Sequence, residues 1–189
     1  LADHNSTWVD PISTDYRGHR VWECPPNGQG IATLMALNIL KGYEIGEMPF
    51  GAADTLHLKM EAIKLAMTDA RRYVADPDMA DVPVEGLLSK AYADERRSLI
   101  HLKRAIADPR AGLPPTGPDT VYLTVVDGDG NAVSFINSLF MGFGSAVTVE
   151  GTGILLQNRG NLFALEPNHP NRLMPHKRPY HTIIPSMVT

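Results

Sequence analysis

Cysteine is nearly missing from this chain. Cys24 is the only one in 189 residues, which excludes an internal disulfide and leaves the cellular compartment open. No apolar segment has the length needed to span a bilayer. Basic runs are also lacking, and a formal net charge of −4 gives no support for a nucleic-acid partner. Neither an internal repeat nor a low-complexity tract interrupts the chain, and Leu1 opens no recognisable signal peptide. What remains is ordinary for a soluble globular protein, 43% hydrophobic and 20% charged, and long enough to bury a core.

The most informative stretch runs from Pro118 to Ser138. Thr120 opens a run, Val121 to Val126, in which nearly every position is apolar or β-branched. That pattern predicts a strand covered on both faces. Asp127-Gly128-Asp129-Gly130-Asn131 supplies residues that tolerate positive φ, so the chain reverses and Ala132 to Ser138 returns as the second strand of a hairpin. Upstream, 107–118 is rich in Pro and Gly and reads as an exposed, cleavable connector. A Thr at the start of a strand usually serves β propensity. After a cleavable connector it has a second use: if the Asp119–Thr120 bond is cut, the new α-amine, titrating near pH 7.7–8.0, can serve as base for the Thr120 hydroxyl.

Elsewhere the chain reads as helices followed by short strands. Leu1 to Tyr16 is polar and loop-like, and His19 to Cys24 is a short strand closed by Pro25-Pro26. Ile31, Leu34, Leu37 and Leu40 stripe a helix that Gly28-Gln29-Gly30 leads into. Strand, glycine turn and helix also describe a dinucleotide fingerprint, but Gly28-x-Gly30-x-x-Thr33 lacks the third small residue. Gly51 to Val74 is the clearest helix, with Leu56, Met60, Ile63, Met67, Ala70 and Val74 as its expected buried face and His57, Lys59, Lys64, Arg71 and Arg72 as its solvated one. Asp76-Pro77-Asp78 ends it as a cap and turn, without the spacing of a calcium loop. Val84 to Ala107 holds one or two more helices with Leu87, Leu88 and Tyr92 as burial candidates and Glu95, Arg96 and Arg97 on a wet face. Beyond the hairpin come a glycine-punctuated loop at 140–145, a strand at 153–156 and a turn at 158–161. His169, His176 and His181 match no common zinc spacing, so neither metal nor cofactor is expected.

The run D-T-V-Y-L-T-V-V-D-G-D-G-N-A-V-S, then F-G-S and G-T-G-I-L-L-Q-N, resembles the start of the small subunit of γ-glutamyltranspeptidases. D-Y-R-G-H-R-V-W-E-C-P-P-N-G-Q-G and A-D-P-D-M-A-D-V-P-V-E-G-L-L-S-K-A-Y-A resemble the large-subunit end of the same family. The resemblance implies an α+β fold, the four-layer αββα sandwich of N-terminal-nucleophile hydrolases, present here in part. It further implies that 1–119 ends the large-subunit region, that 120–189 begins the small-subunit region, and that the sequence is an interior piece. Such a piece is expected to be inactive alone, because the family's oxyanion-hole glycines and its donor-gripping arginine would lie outside it.

Carried over position by position, the resemblance puts the nucleophile at Thr120 and the processing bond at Asp119–Thr120. Ser138 falls where the family usually has a Thr whose hydroxyl contacts the nucleophile's amine. Phe140 replaces an Asn, Arg159 and Leu162 replace the Gln and Asp that hold the donor's α-amino group, and His181 and Thr182 replace paired serines. An ammonium needs a carboxylate or several neutral acceptors; Leu162 offers none and Arg159 repels it. Weak activity on glutathione-like donors follows, with Arg159 suited instead to a carboxylate such as that of a glutaryl group. Departures of this kind also occur in the cephalosporin acylase-like branch. The expected function is therefore an autoprocessing amide hydrolase or acyltransferase, with a non-catalytic scaffold or binding relative as the alternative. Its expected partners are a small-molecule amide or γ-glutamyl-like substrate and the two halves of one precursor, homo-oligomerisation being left open.

Overall fold

A computed structural model describes residues 5–109 and 119–189. Strands β1 (Ile12–Tyr16) and β2 (His19–Glu23) form an antiparallel pair, joined on its other side by β7 (Met187–Val188). The reversal between β1 and β2 passes through Arg17 and Gly18, both at positive φ. Residues 12–16, expected to be loop, are thus strand: Val21 and Glu23 of β2 turn inward, and β1 supplies the backbone partners that inward-facing segment requires.

Helix α1 (Gly30–Leu40) is apolar nearly all round and is accordingly the buried centre of the molecule. It packs on α2 (Ala53–Tyr73), α3 (Val84–Leu88) and α4 (Lys90–Ser98). The shared core joins Ile31, Met35 and Ile39 to Leu58, Ala62, Leu65, Ala66 and Ala70, and closes over Val74, Leu87, Ile100 and Tyr180. Small residues on the inner face of α2 let α1 approach closely. The predicted buried face of α2 is therefore corrected in part: Ala70 and Val74 are buried as expected, but Leu56, Met60 and Ile63 are exposed, and the inner stripe runs through Leu58, Ala62, Leu65 and Ala66. Both stripes are apolar, and sequence spacing alone does not rank them.

The wet face assigned to α4 is also corrected. Arg96 is mostly buried and pairs with buried Asp69 at 2.8 Å. Arg97 lies over the end of α1 and donates to the carbonyls of Ile39 and Asn38, groups that a helix C-terminus leaves unpaired. Asp76, expected as a plain cap, is 2% exposed and accepts from the backbone N–H and guanidinium of Arg178, which also reaches Asp78.

The hairpin consists of β3 (Asp119–Val126) and β4 (Ala132–Phe140), turned by Asp127, whose carboxylate accepts from the backbone N–H groups of Asp129 and Asn131. Its predicted burial on both faces is not found. Leu123 and Val125, and Val133 and Phe135 opposite them, are all about half exposed, because the helices of this chain pack on one another rather than on the hairpin. A short pair, β5 (Thr148–Val149) with β6 (Ile154–Leu155), follows. Among the described residues no helix is long and apolar enough to cross a membrane. Of the predicted connector, 110–118 lie outside the described residues.

Candidate functional site

The open end of the hairpin carries the predicted site residues. Asp119 pairs with Phe140 and Val121 with Asn137, so a bulge in β4 sets Ser138 and Leu139 opposite the backbone of Thr120. The side chains of Asp119 and Thr120 lie outside the described residues. Phe140 ends β4 at φ +80°, an uncommon conformation for an aromatic residue. Hydrogen bonds hold it there: its N–H donates to Ser138 Oγ at 3.0 Å, Met141 N–H donates to Asn158 Oδ1 at 3.2 Å, and Asn158 N–H donates to Leu139 O at 3.2 Å. Asn158 thereby staples the end of β4 to the 3₁₀ turn Arg159–Leu162.

That turn delivers Arg159 into the interior. The residue is 2% exposed; its Nη1 donates to Ser138 O at 2.9 Å and its Nε to Thr182 Oγ1 at 3.4 Å. Its guanidinium lies 5.7 Å from the centroid of the buried Phe140 ring. The remaining nitrogen, Nη2, is buried and has no hydrogen-bond partner among the described residues. Burial pulls the pKa of Arg159 down, and no carboxylate among the described residues counters it. Arginine stays charged regardless, so the site holds a desolvated cation whose Nη2 finds no acceptor among the described residues.

His181 and Thr182 reach the site through the glycine turn before α1. Gln29 N–H donates to His181 O at 2.8 Å, His181 N–H donates to Asn27 O at 2.9 Å, and Gln29 Nε2 donates to Thr182 O at 3.1 Å. Burial, and then the nearby Arg159 charge, push the His181 pKa down to about 4, so its imidazole is neutral at neutral pH and adds no second cation. Ser138, Phe140, Arg159, His181 and Thr182 are thus gathered together. Leu162 shares the 3₁₀ turn but packs against the helical core, while its carbonyl accepts from Asn171 Nδ2 at 2.8 Å.

Sequence reasoning missed Asn27 and Gln29 as the supports of 181–182, although a polar pair flanking Gly28 was a visible signal. It also missed Glu23. This carboxyl shares the buried face of β2 with Val21, at 2% exposure, and its Oε2 has no hydrogen-bond partner among the described residues. Burial raises its pKa to about 7, against a hydrogen bond from Thr33. Gly30 is required beside it, since a Cβ there would stand 2.7 Å from Glu23 Oε2 and 3.1 Å from the Cys24 carbonyl. Among the described residues no cluster of His, Cys, Asp and Glu could hold a metal ion.

The sequence model of the Gamma-glutamyltranspeptidase family matches residues 1–189. The glutathione hydrolase-like YwrD proenzyme of Bacillus subtilis (strain 168) is 46% identical over 185 residues, 98% of this chain and 34% of the relative. The acylase ACY 1 proenzyme of Pseudomonas sp. (strain SE83) is 37% identical over 188 residues, 99% of this chain and 34% of the relative. Among solved structures, cephalosporin acylase from Bacillus halodurans superposes with a TM-score of 0.88 at 54% identity, covering 100% of this chain and 33% of its own. This chain therefore spans about a third of the curated relatives it matches, which include both hydrolase and acylase proenzymes. With the family model matched from end to end, and with the acylase superposition covering the whole chain, the chain belongs to the γ-glutamyltranspeptidase family.

Proposed function

We propose that these residues are the junction region of an autoprocessing amide hydrolase or acyltransferase whose nucleophile is Thr120. Segment 1–119 would end one subunit and 120–189 begin the other, within a four-layer αββα sandwich whose remaining layers cover the exposed faces of the hairpin. In the precursor the Thr120 hydroxyl attacks the Asp119 carbonyl carbon. The peptide C–N bond breaks, the acyl group moves to oxygen, and the Thr120 nitrogen takes up the proton as a free α-amine. Water then hydrolyses the ester, returning the hydroxyl and leaving Asp119 as a C-terminal carboxylate. In turnover the same oxygen attacks a substrate amide carbonyl, the α-amine takes its proton and passes it to the departing amine as the amide C–N bond breaks, and the acyl group is then transferred from Thr120 to water or an acceptor amine.

The observation supporting this reading is the bulged register that sets Ser138–Leu139 opposite Thr120, beside Arg159. Ser138 would position the Thr120 amine. Arg159 would bind the acyl donor together with Phe140, Leu162, His181 and Thr182. A desolvated guanidinium with an unused donor and neutral neighbours suits a carboxylate and opposes an ammonium, so the donor is proposed to be a dicarboxylic monoacyl amide such as glutaryl rather than γ-glutamyl.

Intact mass of the full-length protein tests the first step. Wild type is expected as two polypeptides divided between Asp119 and Thr120, and Thr120→Ala as one. Wild type remaining whole would reject the hydrolase reading in favour of a non-catalytic relative.

A further inference from the structure

Asn158 grips the end of β4 at two points. Its N–H donates to Leu139 O at 3.2 Å, and its Oδ1 accepts from Met141 N–H at 3.2 Å. Those two groups belong to the peptide units on either side of Phe140, so one residue fixes both backbone torsions of Phe140, whose φ is +80°. The first of these units is held at its other end as well: Phe140 N–H donates to Ser138 Oγ at 3.0 Å and thereby sets the rotamer of that hydroxyl. Ser138 and Leu139 form the bulge. Among the described residues neither has a ladder partner, and both stand opposite the backbone of Thr120. A bulge is not held by its ladder, so its polar groups, and an aromatic residue at positive φ, need support from outside the hairpin. Asn158 gives that support, and its own carbonyl accepts from Asn161 N–H at 3.1 Å, which anchors it to the 3₁₀ turn. The next residue, Arg159, returns to the same bulge through Nη1 and Ser138 O, at 2.9 Å.

We infer that Asn158 is a positioning residue for the Thr120 chemistry: by fixing both peptide units of Phe140 it holds the bulge, and with it the Ser138 hydroxyl, against the Asp119–Thr120 backbone. This rests on the Thr120 reading above. The role covers both stages, since cleavage and turnover use the same oxygen. It also ties the nucleophile's side of the site to the donor's side, because Asn158 and Arg159 leave one turn and end on one bulge. Without the Oδ1 acceptor, Phe140 relaxes to negative φ, where an aromatic residue ordinarily lies. That relaxation turns the 139–140 peptide, takes its N–H from Ser138 Oγ and moves the ring off the Arg159 guanidinium. Misplacing a reacting group by about 1 Å costs on the order of 100-fold in rate, so a residue that touches no substrate governs both steps.

Three variants of the full-length protein separate positioning from stability. Asn158→Ala removes the acceptor and keeps the backbone bond, while Asn158→Asp puts an acceptor back in the same place. Asn38→Ala is the control, a buried position of α1 whose side chain joins Thr14 to the Leu88 carbonyl. The half-time of cleavage is followed by intact mass, and Tm is measured on each variant. Turnover is measured on matured protein with the p-nitroanilide that wild type hydrolyses, glutaryl or γ-glutamyl. Asn158→Ala is expected to slow cleavage and lower kcat by about 10- to 100-fold, and Asn158→Asp to recover most of both. Asn38→Ala should lower Tm with cleavage and kcat unchanged. Should Asn158→Ala not fold, Asn158→Thr, which keeps bulk but shortens the acceptor, is read in the same way. Wild-type cleavage and kcat in Asn158→Ala would overturn the inference. So would an equal loss of rate in Asn38→Ala, or no recovery in Asn158→Asp, either of which marks a merely structural asparagine. Cleavage persisting in Thr120→Ala would instead remove the underlying reading, so the two failures are distinguishable.

Discussion

Arg159 lies over the Phe140 ring, with 5.7 Å between guanidinium and ring centroid, and both residues are buried at the end of the hairpin where β3 begins. The aromatic face provides quadrupolar attraction, and the Ser138 carbonyl and Thr182 hydroxyl provide two acceptors, yet among the described residues one nitrogen is left without a partner. The environment is built for a cation and left incomplete by one acceptor.

Donor preference should follow that missing acceptor. In the full-length protein, Arg159→Leu is expected to lower kcat/KM for glutaryl-p-nitroanilide by about 10- to 100-fold, the worth of a hydrogen bond to a charged group. The double variant Arg159→Gln with Leu162→Asp should move preference toward γ-glutamyl-p-nitroanilide, because it exchanges the cation for groups that accept from an ammonium. Equal kinetics on both donors before and after Arg159→Leu would remove the residue from donor binding.

Two buried groups give stability an opposed dependence on pH. The folded-state pKa of Glu23 is raised to about 7 by burial, so the fold binds its proton more tightly than the open chain does. Its contribution is complete below the ordinary value of 4.5 and is lost as pH rises to about 7. His181 works in the other direction: its folded pKa is depressed to about 4, so its contribution is present above 6.5 and is lost as pH falls. Urea unfolding across this range should show Glu23→Gln abolishing the decline toward neutrality and His181→Asn abolishing the decline toward acid. Wild-type pH curves in both variants would contradict these assignments.

The Asp76–Arg178 bridge joins the segments on either side of the proposed cleavage point. Burial alone would raise the Asp76 pKa, but the Arg178 side chain, its N–H and that of Asp78 outweigh it and bring the net value below the ordinary one. Its stabilising contribution is therefore present above the ordinary carboxylate value and disappears as pH falls through the folded one. Asp76→Ala is expected to cost ~2 kcal/mol, roughly 4–8 °C in Tm at this chain length. A Tm shift of less than about one degree would show that hydrated Arg178 needs no partner.

Much of the chain was determined locally, and those parts were legible. The apolar run of α1, the long period of α2, the Asp-Gly-Asp-Gly-Asn reversal between β3 and β4 and the strand at His19 follow from nearest-neighbour chemistry, and they stand where the sequence puts them. Family membership was legible for the same reason, being carried by contiguous motifs. Choices between equivalent surfaces were not. Helix α2 has two apolar stripes, and only the approach of α1 decides that Ala62 and Ala66 go in while Met60 and Ile63 stay out. Arg96 and Arg97 resemble solvated charges until Asp69 and the end of α1 arrive beside them. Arg159 resembles a turn residue until Phe140, Ser138 and Thr182 enclose it from as far as 23 positions away. Sequence specifies which groups exist and their local backbone. Whether a charge is wet or desolvated, and therefore what it can bind, is a property of its surroundings, and only tertiary packing supplies those.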